Sequence, residues 1–284
     1  RKLRLERTPW INHSWQVVLY PTVRGLTTSP IHDGGRTLQL DFDFVEHALL
    51  ARSADGGERR IALEPRSVAD FHGAVLQATR ELGFDIQIDE RPSELPGAVP
   101  FSLDSEHVAY DPDFANRLWR ALLASHRVLQ RFRSAFLGKC SPVHFFWGSF
   151  ALAVTRFSGR RAPRHPGGSP GLPDGVTREA YSHEVSSAGF WPGSDPIDYP
   201  AFYCYAYPEP EGFSEHPVRP SAAAYNDDLG QFILPYEAVR SSADPDAALM
   251  DFLQSTFEAA AALGAWDRAL ECEVGRPGVP RRTE

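Results

Sequence analysis

The fold is indicated most clearly by the stretch His144-Phe145-Phe146-Trp147-Gly148-Ser149-Phe150-Ala151-Leu152-Ala153-Val154-Thr155-Arg156-Phe157. Aromatic and aliphatic residues fill both sets of alternating positions, which is typical of a strand that is buried on both faces. The stretch therefore predicts one long strand, or a pair of strands, at the centre of a sheet.

Further strands and one hairpin are predicted on either side of this stretch. Apolar and polar residues alternate strictly over residues 38–44, as in a half-buried strand. Residues 201–207 and 231–234 are shorter strand candidates. Asp55-Gly56-Gly57 lies between two apolar runs and is typical of a tight hairpin turn.

Three helices are predicted from their first residues. Ser67 precedes an apolar stripe at helical spacing, and Asp70 follows three residues later in an acidic variant of the capping box. Asp111-Pro112 and Asp244-Pro245 each place a capping side chain before a proline at the first helical position. Each of these starts is followed by apolar residues that recur on one helix face.

These elements predict an α+β fold with mainly antiparallel sheets covered by helices. Strands followed by a helix occur in both halves, so an internal duplication of a strands-then-helix unit is a hypothesis. We expect a first unit over residues 1–100. A second unit over 101–284 would hold the long helix, the central strand, a Gly/Pro-rich loop at 160–200 and the C-terminal helix. The two are expected to pack as one compact body.

The segment from 160 to 200 differs in composition from the rest, with seven prolines and six glycines in 41 residues. A connection of this length inside a domain is either functional or disordered. Residues 161–174 are predicted to form a mobile loop. Residues 179–193 carry Tyr181, His183, Phe190 and Trp191 and are predicted to form a functional loop instead.

Composition and charge limit the class of protein. The 284 residues are 42% hydrophobic and 23% charged, which is typical of a globular protein. The net charge of −8 argues against binding to nucleic acid. No apolar core follows the charges at the start of the chain, and no run is long enough to span a membrane. We expect a cytoplasmic protein of a bacterial kind that does not bind membranes.

Three histidines are candidate metal ligands: His107, His144 and His183. Glu184 would be a fourth ligand or a general base for a bound water. A divalent transition metal is the cofactor that this hypothesis implies, and the sequence separations leave convergence to the fold. The alternative interpretation is that each histidine is a separate hydrogen-bonded residue.

Aromatic residues are concentrated near these histidines. Tyr203 and Tyr205 share one face of a predicted strand, and a row of phenols suits a pocket better than a core. Trp147 and Trp191 are candidate ligand-binding residues together with them. Tyr181 and Arg156 join Glu184 as catalytic candidates, with Arg156 anchoring a carboxylate or phosphate group. The alternative is an aromatic core with tyrosines at its rim. The pocket is expected to be formed by three segments, residues 144–147, 181–191 and 203–207.

Several motifs resemble an uncharacterised bacterial family, domain of unknown function 5996. They extend over most of the chain and are Ser-Pro-Val-His-Phe-Phe-Trp-Gly at 141–148, Glu-Ala-Tyr-Ser-His-Glu at 179–184, Gly-Phe-Trp-Pro-Gly at 189–193, Tyr-Ala-Tyr-Pro-Glu-Pro at 205–210 and Phe-Leu-Gln-Ser-Thr at 252–256. The resemblance implies no activity. The chain departs from the family pattern at Ala151, where we expect an acidic residue.

Two functions follow from these observations. The leading hypothesis is an enzyme that acts on a small molecule in an aromatic-lined pocket with clustered His and Glu side chains. The alternative is a non-catalytic module that binds a small molecule or another protein. The alternative predicts an aromatic site without clustered titratable side chains.

Overall fold

The computed structural model describes residues 1–92, 95, 97–168, 172–194, 196–277 and 279. Helices and two antiparallel sheets make up the fold of these residues, which confirms the predicted α+β class. Within them, no helix combines the length and the apolar character needed to cross a lipid bilayer. The α-helices are α1 (Lys2–Arg7), α2 (Val68–Glu81), α3 (Pro112–Ser134), α4 (Asp174–Ala180), α5 (Tyr236–Arg240) and α6 (Pro245–Leu263).

The first sheet is formed by residues from the N-terminal part of the chain. Its strands are β1 (Tyr20–Thr22), β2 (Gly25–Thr27), β3 (Ile31–Asp33), β4 (Arg36–Asp43), β5 (Ala48–Ser53) and β6 (Glu58–Ala62). They are ordered β1-β2-β4-β5-β6, and β3 pairs with β4 as well. The sheet contains the predicted strand at 38–44 and the predicted hairpin, whose turn joins β5 to β6.

The second sheet contains the apolar stretch from His144 to Phe157. Its strands are β7 (His144–Phe146), β8 (Ala151–Arg161), β9 (His183–Trp191), β10 (Ala201–Tyr207), β11 (Ala224–Asn226) and β12 (Gln231–Pro235). They are ordered β11-β12-β10-β9-β8-β7. The predicted strand pair is therefore β7 and β8, and the first seven residues of β8 are all buried.

The chain divides into two compact units. Unit 1 consists of Arg1–Leu123, Phe145–Ser149 and Gly167–Thr177, and unit 2 consists of Ala124–His144, Phe150–Pro166 and Arg178–Glu284. Residues 101–123 thus belong to unit 1 in this division, whereas the sequence analysis grouped them with the second half.

The predicted helix starts are confirmed by hydrogen bonds of the capping side chains. Ser67 accepts from the backbone N–H of Asp70 at 3.0 Å, at the start of α2. Asp111 accepts from Phe114 N–H at 3.0 Å before α3, and Asp244 accepts from Ala247 N–H at 3.0 Å before α6. Each cap satisfies one backbone donor that lies before the first helical hydrogen bond.

The segment from 160 to 200 contains more regular structure than the sequence analysis predicts. The functional loop predicted at 179–193 is the end of α4 followed by the strand β9. Six consecutive residues of β9 are buried, so its apolar and polar residues do not alternate as in a half-buried strand. Its serines and glycine are residue types that are also common in loops. Of the predicted mobile loop at 161–174, residues 169–171 lie outside the described residues.

The internal duplication is not confirmed. In unit 1 the strand that precedes α2 is β6, which lies at the edge of its sheet. In unit 2 the strand that precedes α5 and α6 is β12, which lies between β10 and β11. The two strands-then-helix units therefore differ in sheet order.

The register of the second sheet assigns its residues to two faces. Side chains directly opposite one another on antiparallel strands lie on the same face. Thr155, Ser187 and Tyr205 form one such row across β8, β9 and β10, and Arg156, Ser186 and Ala206 form the next. Because successive residues of a strand point to opposite faces, the two rows lie on opposite sides of the sheet. The row of Arg156 faces α6, where its guanidinium packs on Phe257.

Gly189 allows β8, β9 and Tyr203 to approach closely. A Cβ atom at this position would lie 1.9 Å from the carbonyl oxygen of Leu152 and 2.7 Å from the hydroxyl of Tyr203. The backbone oxygen belongs to the neighbouring strand, so it is unable to move aside without disturbing the β8–β9 ladder. The glycine is therefore required by the packing of the sheet.

We predict that Gly189→Ala lowers the free energy of unfolding by about 1–3 kcal/mol, because the added methyl overpacks the sheet. Chemical denaturation would measure the change. Gly73→Ala is the control, because no atom lies within 4 Å of the added Cβ and the residue is inside α2. An alanine at 189 that leaves stability unchanged would contradict the packing described here.

Candidate functional site

Four hydroxyl side chains lie together on the face of the second sheet that is turned away from α6. Thr155, Ser187 and Tyr205 are directly opposite one another on three adjacent strands. Thr155 Oγ1 and Ser187 Oγ are 2.9 Å apart and both residues are buried. The hydroxyl of Tyr181, just before β9, donates to that of Tyr205 at 3.0 Å. We call these four residues the hydroxyl row.

One of the two hydroxyl protons of the Tyr181–Tyr205 pair is spare, because the hydrogen bond between the phenols uses only the other one. Two phenols joined by a single hydrogen bond use one of their two protons, and the second has no acceptor among the described residues. Burial raises the pKa of Tyr181 well above its ordinary value, and the neighbouring Tyr205 raises it further. The hydroxyl therefore keeps its proton at physiological pH, and the pair is able to donate to a ligand.

Two more rings enclose this end of the row. The imidazole of His165 stacks on the Tyr181 ring with centroids 4.9 Å apart and an interplanar angle of 22°. The Tyr207 ring lies 5.0 Å from both of these rings. Tyr207 donates to the carbonyl of Pro163 at 3.0 Å, and Arg178 donates to that of His165 at 3.2 Å. These bonds hold the described start of the segment predicted to be a mobile loop.

Tyr203 and Trp191 border the other end of the row and lie in an apolar environment. Tyr203 is buried, and its ring stacks on that of Tyr205 with centroids 6.3 Å apart. Tyr203 belongs to a buried cluster that includes Ala151, Ile197 and Ala201. Tyr205 and Trp191 pack against this cluster. Ala151, where we expect the family to have an acidic residue, is therefore surrounded by apolar side chains.

Arg156 lies on the opposite face and contacts aromatic rings. Its guanidinium carbon is 3.5 Å from the ring centroid of Phe132 and 4.2 Å from that of Phe257, and it donates to the carbonyl of Phe132. Only 1% of the residue is exposed. The structure therefore places it away from the hydroxyl row, as a link between the sheet and the two helices, whereas the sequence analysis assigned it to a ligand.

Glu184 also points to the helix-covered face, where it binds Arg160. Its Oε2 atom accepts from Ser158 Oγ at 2.7 Å and from two nitrogens of Arg160 at 2.7 and 2.9 Å. Arg160 in turn donates to the carbonyls of Gly264 and Ala265 at the end of α6. A cation at this position stabilises the negative end of the helix dipole.

The candidate metal ligands do not form a cluster. No group of three or more His, Cys, Asp or Glu side chains in the described part of the chain is arranged to hold a metal ion. His107 pairs with Asp104 at 2.9 Å in unit 1, and His183 contacts Ser182 at 3.1 Å in unit 2. His144 is fully buried. His183 and Glu184 are consecutive in β9, so they point to opposite faces of the sheet.

Trp147 belongs to unit 1 and not to the unit that carries the tyrosines. Its ring stacks on Phe42 with centroids 5.4 Å apart, and Phe42 stacks on Phe44. The structure therefore brings together Tyr181, Tyr203 and Tyr205 from the predicted site. Thr155, Ser187 and His165 are additional residues that the sequence analysis missed. The only signal in the sequence was small polar residues within otherwise apolar strands.

The sequence matches one known protein family over most of its length. The family described as a family of unknown function, DUF5996, matches residues 1–272. The chain belongs to this family. Neither a curated protein nor a solved structure matches the chain. Membership confirms the resemblance of the motifs and assigns no activity.

The pairing of His107 with Asp104 predicts that the stability of unit 1 depends on pH. The hydrogen bond that the imidazole donates to the Asp104 carboxylate raises the pKa of His107 above the ordinary value of 6.5. The pairing therefore contributes to stability below pH 6.5 and loses its effect as pH rises through the raised pKa. NMR titration of the imidazole would show the raised value, and Asp104→Asn would return it toward 6.5. A wild-type imidazole that titrates at or below this value would contradict the pairing.

Proposed function

We propose that unit 2 binds a small planar organic molecule with a carbonyl group at the hydroxyl row. The observation that carries the proposal is the spare hydroxyl proton of the Tyr181–Tyr205 pair. Such a proton needs an acceptor, and a carbonyl oxygen is the common neutral acceptor of small metabolites. The rings of His165 and Tyr207 beside the pair favour a flat ligand, because aromatic rings stack well on planar groups.

The exposure of these residues supports a binding role. Tyr181, Tyr205, Tyr207 and His165 are half-buried, whereas Thr155 and Ser187 are fully covered. A ligand at the half-buried end would exclude water from the phenols and strengthen their hydrogen bonds.

The arrangement favours a binding module over the enzyme hypothesis. A binding module predicts aromatic and polar anchors without clustered titratable groups. Arg156 and Glu184, two of the proposed catalytic residues, face away from the hydroxyl row. The hydroxyl groups provide hydrogen bonds, but a nucleophile among them would need an adjacent general base. Catalysis by this protein, a metal cofactor and the absence of a nucleic-acid partner stay predictions.

The double variant Tyr181→Phe/Tyr205→Phe tests the proposal because it keeps both rings and removes both hydroxyls of the pair. Acetophenone is the probe, and ethylbenzene is the matched compound without a carbonyl. We expect acetophenone to bind the wild-type protein more tightly than ethylbenzene, and the variant to lose about three- to tenfold in affinity, the effect of one neutral hydrogen bond. Ligand-detected NMR titration would measure both affinities.

Tyr225→Phe is the control for this experiment. It also removes a phenol hydroxyl from unit 2, but this hydroxyl donates to Glu209 and is not part of the hydroxyl row. It is expected to leave acetophenone binding unchanged. Equal affinity for the two probes, or equal loss in the two variants, would refute binding at the Tyr181–Tyr205 pair.

A further inference from the structure

A second place in unit 2 has unused hydrogen-bonding groups, on the face of the sheet opposite the hydroxyl row. A small cleft of about 60 Å³ lies between the ends of β9 and β10 and the end of α6. We call it the Glu184 cleft. Among its lining residues are Glu184, Ala206, Pro208, Pro210, Gly264 and Trp266.

The cleft contains one residue with an unused acceptor and one with an unused donor. All the hydrogen bonds that Glu184 accepts from described residues end on Oε2, which leaves Oε1 available. Trp266 is 8% exposed, and its indole N–H has no acceptor within the described ranges. The indole nitrogen is not among the buried polar atoms without a partner, so solvent reaches it and it is able to donate to a ligand or water in the cleft.

The charges of Glu184 and Arg160 beside the cleft limit which ligands it favours. Arg160 binds Glu184 through two nitrogens and neutralises its carboxylate. A cation would gain little from a carboxylate that is already paired, and an anion would be repelled by Oε1. A neutral group that both donates and accepts matches the two unused groups.

We infer that the Glu184 cleft binds the terminal carboxamide of a small molecule. The amide N–H₂ donates to Glu184 Oε1, and the amide oxygen accepts from the indole N–H of Trp266. The volume holds about four groups of the size of water, since each needs about 10–15 Å³. A carboxamide and the carbon that bears it have this size. The prolines and alanines of the lining contact that carbon.

Acetamide is the probe, and the indole N–H signal of Trp266 is the readout. Trp266→Phe assigns the signal in a ¹⁵N-labelled sample. We expect this signal to move and saturate with acetamide at about millimolar concentration, the affinity of a ligand with so few atoms. Acetone, which only accepts, and methylammonium, which only donates, are expected to bind about tenfold more weakly. A signal that does not move, or one that responds more strongly to methylammonium, would overturn the inference.

Ala206→Leu provides a second test that keeps both polar groups. Ala206 is half-buried and lines the cleft, so a leucine side chain would fill it. We expect the variant to lose the response of the Trp266 indole signal to acetamide by more than tenfold in affinity. Tyr225→Phe is the control, because its hydroxyl binds Glu209 and the residue does not line the cleft. A response retained in Ala206→Leu would overturn the inference, and so would an equal loss in the two variants.

Discussion

The antiparallel register of β8, β9 and β10 is the constraint on which the rest of unit 2 depends. It places Thr155 opposite Ser187 and Ser187 opposite Tyr205, although the chain separates these residues widely. The register is itself limited by Gly189, because only a residue without Cβ fits against the carbonyl of Leu152. A slip of one residue would turn every side chain to the other face and would exchange the hydroxyls for the arginine. The fold and the candidate site therefore rest on the same pairing.

Two arginines connect the opposite face of this sheet to its helices. Arg156 is sandwiched among the rings of Phe132, Phe136 and Phe257, where its flat guanidinium packs like an aromatic ring and still donates a hydrogen bond. Arg160 joins Glu184 on the sheet to the last carbonyls of α6. Lysine would not reproduce either arrangement, because both use the planar shape and several donors of one side chain. Because Arg156 and the helices cover the centre of this face, the ligand proposed for the tyrosines would approach from the other side.

Local features of the fold could be predicted from the sequence, whereas long-range ones could not. The caps at Ser67, Asp111 and Asp244 involve a side chain and an N–H three residues away, so spacing alone reveals them. The strand β9 was mistaken for a loop because burial on both faces removes the alternation on which strand prediction depends. The three candidate metal histidines share a residue type, but among the described residues they do not belong to a group able to hold a metal ion. The bond between Thr155 and Ser187 depends on pairing between strands, for which no local pattern exists.

The two faces differ in the chemistry that they offer to a ligand. On the tyrosine face, Tyr181 stays protonated at physiological pH because burial disfavours its phenolate, and the Tyr181–Tyr205 pair has one hydroxyl proton left to donate. The ligand proposed for that face is therefore a hydrogen-bond acceptor. On the helix-covered face, a neutralised carboxylate and an indole N–H offer one acceptor and one donor at the same time. The ligands proposed for the two sites are both neutral polar groups, and this follows from the sheet: Arg156, Arg160 and Glu184 are already bound to residues that hold the fold together. Recognition of neutral groups by fixed hydrogen-bonding partners is the task of a binding protein, and for that reason we place binding ahead of catalysis.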